Sequence, residues 1–329
     1  MSYKSLIIAL YIMSKVHPNT GEDQAILNAK RYIAIHALSV GLDGKLLTNM
    51  QFKQQYNIVA GTMQRALAIL KDTEALSTRS KGHLGRVVTH IDIGLCWNIA
   101  KLKPIQLLMP SSGSIEIDIL IRHFTSKLSK LNIPYFISNR PGAYERIEKV
   151  NQGECDITLV SKGAAESSNQ EMSPLQLKIL APDTYYSIDR LVIVSRTKQD
   201  KAEWNTIAID SSSSDHTSFT ECEFPDEKGY QYFESNFRQI PARVLKEEVD
   251  AGIWHITGSP VPLSLSGLTA TKLTNAETLA THKQISAATF ITNPNRPELN
   301  SLLSQLNSKE IIAEQAKAFE QEDAYNKAF

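Results

Sequence analysis

Cysteine is scarce in this 329-residue chain: Cys96, Cys155 and Cys222 are odd in number and far apart. No C-x-x-C pair occurs, so neither a zinc site nor a disulfide framework is indicated, and a reducing compartment fits. The eight histidines show no metal-ligand spacing, so no metal and no cofactor are expected. A Walker A loop, G-x-G-x-x-G, H-E-x-x-H and G-x-S-x-G are all missing, which removes the commonest nucleotide, metalloprotease and hydrolase chemistries. The apolar run Leu6–Met13, preceded by Lys4, is too short to span a bilayer, and no small-x-small cleavage pattern follows before His17-Pro18. A packed helix over Ser5–Lys15 and a cytoplasmic protein without a membrane partner are expected.

Net charge is also missing: 35 Lys+Arg balance 35 Asp+Glu. The balance is uneven along the chain. Residues 1–90 carry 11 Lys+Arg against 5 Asp+Glu, and the remainder 24 against 30. A basic first quarter on an acidic remainder suggests that only the front end meets phosphate. The length favours two or three domains.

What is present begins with helical periodicity. Ile26, Ala29, Ile33 and Ala37 give a first helix over 23–38 with one apolar face. Gly41-Leu42-Asp43-Gly44 forces a turn. A short second helix follows, with Thr48 as N-cap and Met50, Phe52 and Tyr56 as its apolar positions. Asn57-Ile58 makes a tight turn, and a third helix starts near Val59–Gly61. Met63, Ala66, Leu67 and Leu70 recur at i, i+3, i+4 and i+7 and face a core. The opposite face carries Thr62, Gln64, Arg65 and Lys71, with no acid between Val59 and Lys71. Polar donors without carboxylates suit a major-groove helix. Leu76–Arg79 and Arg86–Val88 read as strands around a glycine-containing turn, Ser80-Lys81-Gly82-His83-Leu84-Gly85. Residues 75–90 hold three Lys/Arg, two His and no acid, so this hairpin is suited to a phosphate backbone or the minor groove. The candidate contacts to double-stranded DNA are Thr48, Gly61, Thr62, Gln64, Arg65, Arg79, Lys81, His83 and Arg86.

Gly44–Val88 resembles the GntR-type winged helix, on Leu46-Leu47-Thr48, on Thr62-Met63-Gln64-Arg65-Ala66-Leu67 and on Lys81-Gly82-His83. Two positions depart from it. Val59-Ala60 stands where that family starts its recognition helix with Ser-Arg, and Glu74 stands where it ends the helix with Gly.

Beyond residue 103 the pattern changes to strand, helix, strand. Gln106–Met109, Pro134–Ser138 and Ile157–Val160 read as strands, with helices after Ser114 and over 143–151. This order implies a parallel sheet whose ligands collect at the strand carboxyl ends, at 110–114, 139–142 and 161–163. Ser111-Ser112-Gly113-Ser114 between strand and helix is either an anion-receiving turn or a plain helix cap. A second set follows from Arg190: strands 190–195 and 206–210, a polar turn Ser211–His216, a helix over 241–249, and a strand 251–255 holding Trp254. The chain returns through 287–291 to a C-terminal helix from Pro297.

Gly153-Glu154-Cys155-Asp156, Ser161-Lys162 and Asp250-Ala251-Gly252-Ile253-Trp254 resemble the YhfZ-like regulators. The resemblance implies a GntR-like N-terminal domain joined to a two-lobed α/β domain of periplasmic-binding-protein (type II) kind. The expected fold is therefore α/β overall: an N-terminal helix (1–21), a winged helix-turn-helix (22–90), a linker (91–103) in which Ile91, Ile93, Leu95 and Trp97 alternate like a strand, and an effector-binding domain (104–329). Its first lobe is expected over 104–184 and 280–329, its second over 185–279. The expected function is transcription regulation by a homodimer. A small effector, with an anion as one candidate, would bind between the lobes through Ser111, Ser112, Ser114, Arg140, Ser161, Lys162, Tyr185, Ser212, Ser213, Asp215 and Trp254. Lobe closure would then reset two DNA-binding heads against half-sites about 34 Å apart. Two other readings stand beside it: an enzyme on the same fold and an effector-independent dimeric repressor. Asp215-His216 beside four serines is the one enzyme-like cluster, but adjacent side chains rarely serve one hydroxyl, and no catalytic residue is assigned.

Overall fold

A computed structural model describes residues 21–82, 85–111, 113–171, 175–256 and 265–327. The helix expected over 5–15 lies outside these residues, as do His83 and Ser112. The described residues form two compact units, the first made of those up to 103 with 131–133 and 297–302, the second of the others.

In the first unit, helix α1 (Gly21–Val40) buries Ala29, Ile33 and Ala37, the stripe its periodicity demands. Gly41 and Asp43 turn the chain with positive φ into a two-residue strand β1 (Lys45–Leu46). Helix α2 (Asn49–Tyr56) starts on Thr48 through a full capping box with Gln51, and stops at Asn57, which takes the left-handed conformation. Helix α3 (Ala60–Asp72) buries Met63, Ala66, Leu67 and Leu70, the expected inner face. Val59 opens it with no side-chain cap bond. Strands β2 (Leu76–Ser80) and β3 (Arg86–Ile91) form an antiparallel hairpin, and β1 adds to the far side of β3.

Residues 91–103 are not the connector expected. After Ile91 ends β3, Asp92 accepts the Leu95 N–H at 2.8 Å and caps a helix, α4 (Ile93–Ala100). Ile93, Cys96, Trp97 and Ala100 are buried, a 3.6-residue period in place of the expected alternation. The Arg31 Nε–H of α1 donates to the Ala100 carbonyl at 2.9 Å. Gly94 has no room for a side chain, since a Cβ would lie 2.2 Å from the Leu131 carbonyl oxygen.

The second unit has two α/β lobes. The first begins β4 (Ile105–Met109), α5 (Ile115–Lys130), β5 (Tyr135–Asn139), α6 (Ala143–Asn151), β6 (Ile157–Ser161), α7 (Lys162–Glu171), β7 (Gln176–Ile179). β4 lies parallel to both β5 and β6, so the carboxyl ends of all three share one edge, as the β-α-β-α-β order required. The second lobe runs β8 (Leu191–Arg196), β9 (Thr206–Ile209), α8 (Ser214–Glu223), β10 (Gln231–Glu234), α9 (Ile240–Leu245), β11 (Ala251–His255), β12 (Leu268–Lys272), α10 (Ala276–Ile285). Strands β10 and β12 had no distinct signal in the sequence. They are the sheet edges, in the order β10-β9-β11-β8-β12. β13 (Ala288–Thr292) then returns to the first lobe, antiparallel to β6 and β7, and a last helix, α11 (Ser308–Lys327), closes the chain.

The two lobes are joined at depth. Glu116, fully buried at the start of α5, accepts the Ser187 N–H at 3.0 Å and pairs with His255 Nε2 at 2.9 Å. Helix α11 runs along both lobes. Glu314 meets His123 of α5 at 3.0 Å, Gln315 donates to the Glu116 and Thr184 carbonyls, and Glu322 and Asp323 hold Arg190 at 3.1 and 2.9 Å.

Candidate functional site

Two sets of residues bear on function, one in each unit. In the first unit, Gly61, Gln64 and Arg65 lie on the exposed side of α3, with Thr62 half-buried beside them. Arg79 and Lys81 are exposed on the hairpin, while Arg86 is half-buried and reaches the Thr78 hydroxyl at 3.5 Å. Thr48 spends its hydroxyl on the capping box, donating to Gln51 Oε1 at 3.0 Å and accepting the Gln51 N–H at 3.3 Å. A hollow of about 290 Å³ opens between the start of α2 and the hairpin, lined by Thr48, Asn49, Ser80, Gly82, Gly85 and Arg86 among others. Polar groups, glycines and one guanidinium around a concavity can receive a phosphate.

In the second unit the sequence candidates divide. Ser161 and Asp215 come together across the lobes. Ser161 ends β6 and accepts the Ala164 N–H at 3.1 Å, which fixes the first turn of α7. The Ser161 and Tyr186 hydroxyls both favour the charged form of the Asp215 carboxylate. Burial pushes the Asp215 carboxyl up to about 6, against the lowering effect of those two hydroxyls. Burial also raises Tyr185 and, further, Tyr186, with the Asp215 charge adding to both. Asp215 Oδ1 lies 2.4 Å from where a Cβ on Gly163 would stand. The lobes therefore touch at the N-terminal turn of α7, and only glycine permits it.

Other expected site residues serve elsewhere. Trp254 is buried in the second lobe's core with Val194, Ala208, Ile240, Val244 and Leu268, because the alternation of β11 turns it inward; it does not line the lobe interface. Arg140 is exposed and ion-paired with Glu145, since its side chain leaves the loop toward α6. Lys162 pairs with Glu166 one turn on, at 3.3 Å. Ser114 and Ser213 cap α5 and α8 through the Ile117 and His216 N–H groups, and Ser212 donates to Asp210. Ser111 is half-buried at the end of β4. Tyr185 is buried, and the Arg146 cation opposes the effect of that burial on its hydroxyl.

Asp215 and His216 do not cooperate. His216 Nδ1 accepts the Asp210 N–H at 3.1 Å and Nε2 donates to the Ile253 carbonyl at 2.9 Å. Both ring nitrogens are spent inside the lobe, and burial holds its pKa below the ordinary value.

The residue missed by sequence reasoning is Arg146. It is 3% exposed, and its guanidinium donates to the Arg140, Gly142 and Leu159 carbonyls at 2.8, 3.0 and 3.1 Å. A signal existed: Ala143, Arg146, Ile147 and Val150 stand at i, i+3, i+4 and i+7, which puts an arginine in the apolar stripe of α6.

Residues 92–325 match the family model of the YhfZ C-terminal domain. The chain belongs to that family. The uncharacterized protein YhfZ of Escherichia coli K12 is 23% identical over 243 residues, covering 74% of this chain and 78% of that one. A crystal structure of YhfZ from Shigella flexneri is 23% identical with a TM-score of 0.54, over 70% of this chain and 96% of that one. The alkanesulfonate-binding protein SsuA of Xanthomonas axonopodis pv. citri is 14% identical with a TM-score of 0.49, over 68% and 78% of the two chains. Two of the residues that carried the YhfZ resemblance, Asp156 and Asp250, are architectural. Asp156 accepts the Gln106 N–H at 2.8 Å in one lobe, and Asp250 accepts the Thr206 N–H at 2.9 Å in the other. Each ties the start of an inner strand to its neighbour. Burial would raise the Asp250 carboxyl, but donors from Asn205, Thr206 and Gln199 outweigh it and hold it well below the usual carboxylate range. Among the described residues, no helix is long and apolar enough to cross a membrane.

Proposed function

We propose that this member of the YhfZ family is a DNA-binding transcription regulator. In this reading the first unit is a winged helix-turn-helix whose recognition helix is α3, and the second is a periplasmic-binding-protein-like domain that senses a small molecule between its lobes. The observation that carries it is the acid-free exposed face Gly61, Gln64, Arg65 on α3, together with a basic hairpin, Arg79, Lys81 and Arg86. Phosphate contacts supply most affinity and base-edge contacts supply specificity. Gln64 and Arg65 suit the second role and the hairpin suits the first. A homodimer, cytoplasmic residence and a binding rather than catalytic role belong to the same proposal; the last is supported by the spent imidazole of His216.

Duplexes selected from a random pool, then titrated by fluorescence anisotropy at several salt concentrations, test it. Arg79→Ala should lower the salt slope by about 1. Arg65→Ala should cost about 1–3 kcal/mol on the selected duplex and less on random DNA. No binding at low salt, or unchanged slope and affinity in both variants, sinks the reading. The contact of Asp215 with the α7 turn favours a second reading, a dimeric repressor that answers to no effector. It requires that no metabolite change either the thermal transition or the DNA affinity.

A further inference from the structure

One core face of the second lobe ends in hydroxyls. On β8, Leu191 and Ile193 share a core with Trp204, and Ser195, the next residue of that face, lies opposite Thr269 of β12. Here β8, β12 and the loop 197–204 surround a hollow of about 290 Å³, whose lining holds five hydroxyl side chains, three cations and no carboxylate. Two of its polar groups are unused. Gln199 donates its amide N–H to the Asp250 carboxylate at 2.7 Å. A carboxylate only accepts, so the amide oxygen faces elsewhere, and it is buried without a partner. Trp204 is 6% exposed, and its indole N–H is likewise buried without a partner. An acceptor and a donor left idle at one hollow each cost stability that an occupant would restore. The cations are unequal. Arg196 is committed to Asp250 and to the Val244 and Val249 carbonyls, all at 3.1 Å, and Lys272 to Asp189 at 2.8 Å. Lys201 has no carboxylate partner among the described residues, and its ammonium stands 5.8 Å from the centre of the Trp204 ring.

We propose that this hollow binds a small polyhydroxy carboxylate, the chemistry of a sugar acid. One uncommitted ammonium suits one negative charge, whereas a dianion would be left partly unpaired. The ligand carboxylate would accept from Lys201 and from the Trp204 N–H. Its hydroxyls would meet those of Ser195 and the threonines, and one of them would donate to Gln199 Oε1. All lining residues belong to the second lobe. Binding here needs neither the opposite lobe nor DNA, and the inference does not rest on the regulator reading.

Calorimetry on the full chain tests it, with gluconate, galactonate and glucuronate as probes. Acetate and glucose are the two halves of that chemistry, charge without hydroxyls and hydroxyls without charge. At least one sugar acid should bind saturably, about tenfold or more tighter than either half. Trp204→Phe keeps the ring and loses the donor, and should weaken binding about tenfold. Lys201→Met should weaken it by a similar factor and flatten its salt dependence. Should Trp204→Phe not fold, Lys201→Met, at an exposed position, decides alone. The proposal is overturned if no sugar acid binds saturably, if acetate or glucose binds as tightly, or if the folded variants bind like the unsubstituted chain. Because DNA affinity is measured separately, loss of this site leaves the regulator reading standing, and loss of DNA binding leaves this site.

Discussion

At the scale of single residues, backbone conformation and side-chain type disagree at Glu74. It follows the last turn of α3 with φ +57°, the left-handed region where a Cβ crowds the carbonyl and glycine is the ordinary choice. Its own carbonyl accepts a hydrogen bond from His90 Nε2 at 3.0 Å, so the conformation is held from the hairpin. Glu74→Gly keeps that bond and relieves the strain, partly offset by the greater freedom of glycine in the unfolded chain. It should stabilise the first unit by about 0.5–1 kcal/mol, read as a higher urea midpoint.

At the scale of elements, α3 is the helix on which DNA binding would depend, and its start is underbuilt. Val59 has extended N-cap geometry (φ −80°, ψ 155°) but no oxygen to accept the first N–H groups. Thr48 does the same task for α2 through a reciprocal pair of bonds. Val59→Ser should add about 1 kcal/mol by satisfying one donor, checked by thermal unfolding. Because Val59 is exposed, little burial is lost in exchange. The lobes repeat a different device: Asp156 and Asp250 each precede an inner strand and bind its neighbour's N–H. At Gly252 a Cβ would meet Ile240 Cγ2 at 2.7 Å, so close packing of β11 explains that glycine without recourse to a ligand.

At the scale of the second unit, lobe contact is coupled to protonation. The Asp215 carboxyl titrates near about 6 in the folded chain, against its ordinary 3.8, mainly because burial disfavours its charge. Between those pH values the folded chain holds the extra proton. Stability from this group is therefore complete below about pH 4 and is lost as pH rises through about 6. The groups acting on Asp215 are the Ser161 and Tyr186 hydroxyls, and its charge acts in turn on Tyr185. Burial raises both tyrosines, so neither titrates in that window. Asp215→Asn should remove this dependence. Its stability relative to the unsubstituted chain should be greater at pH 7.5 than at pH 4.5, by on the order of 2–3 kcal/mol. Equal differences at the two pH values, from urea unfolding, would refute the assignment.

Local order was legible wherever one period dominated. Met63, Ala66, Leu67 and Leu70 fixed the inner face of α3, the dipeptide Asn57-Ile58 fixed the turn before it, and strand–helix alternation fixed the parallel core of the first lobe. Where two periods fit equally, the sequence could not choose. Residues 91–97 alternate, yet Ile93, Cys96, Trp97 and Ala100 also follow a helical period, and packing on α1 selects the helix. The site was half legible for a similar reason. Strand ends converge by topology, which pointed to Ser161, but which side chains turn toward the opposite lobe depends on contacts more than 50 residues apart. Those contacts sent Trp254 into the core and set Asp215 against the first turn of α7, whereas Arg140 is held locally by Glu145, five residues on. Charge pattern and periodicity are local properties that the chain carries unfolded. The cost of burying a charge, and the partner that offsets it, exist only once distant segments exclude water together.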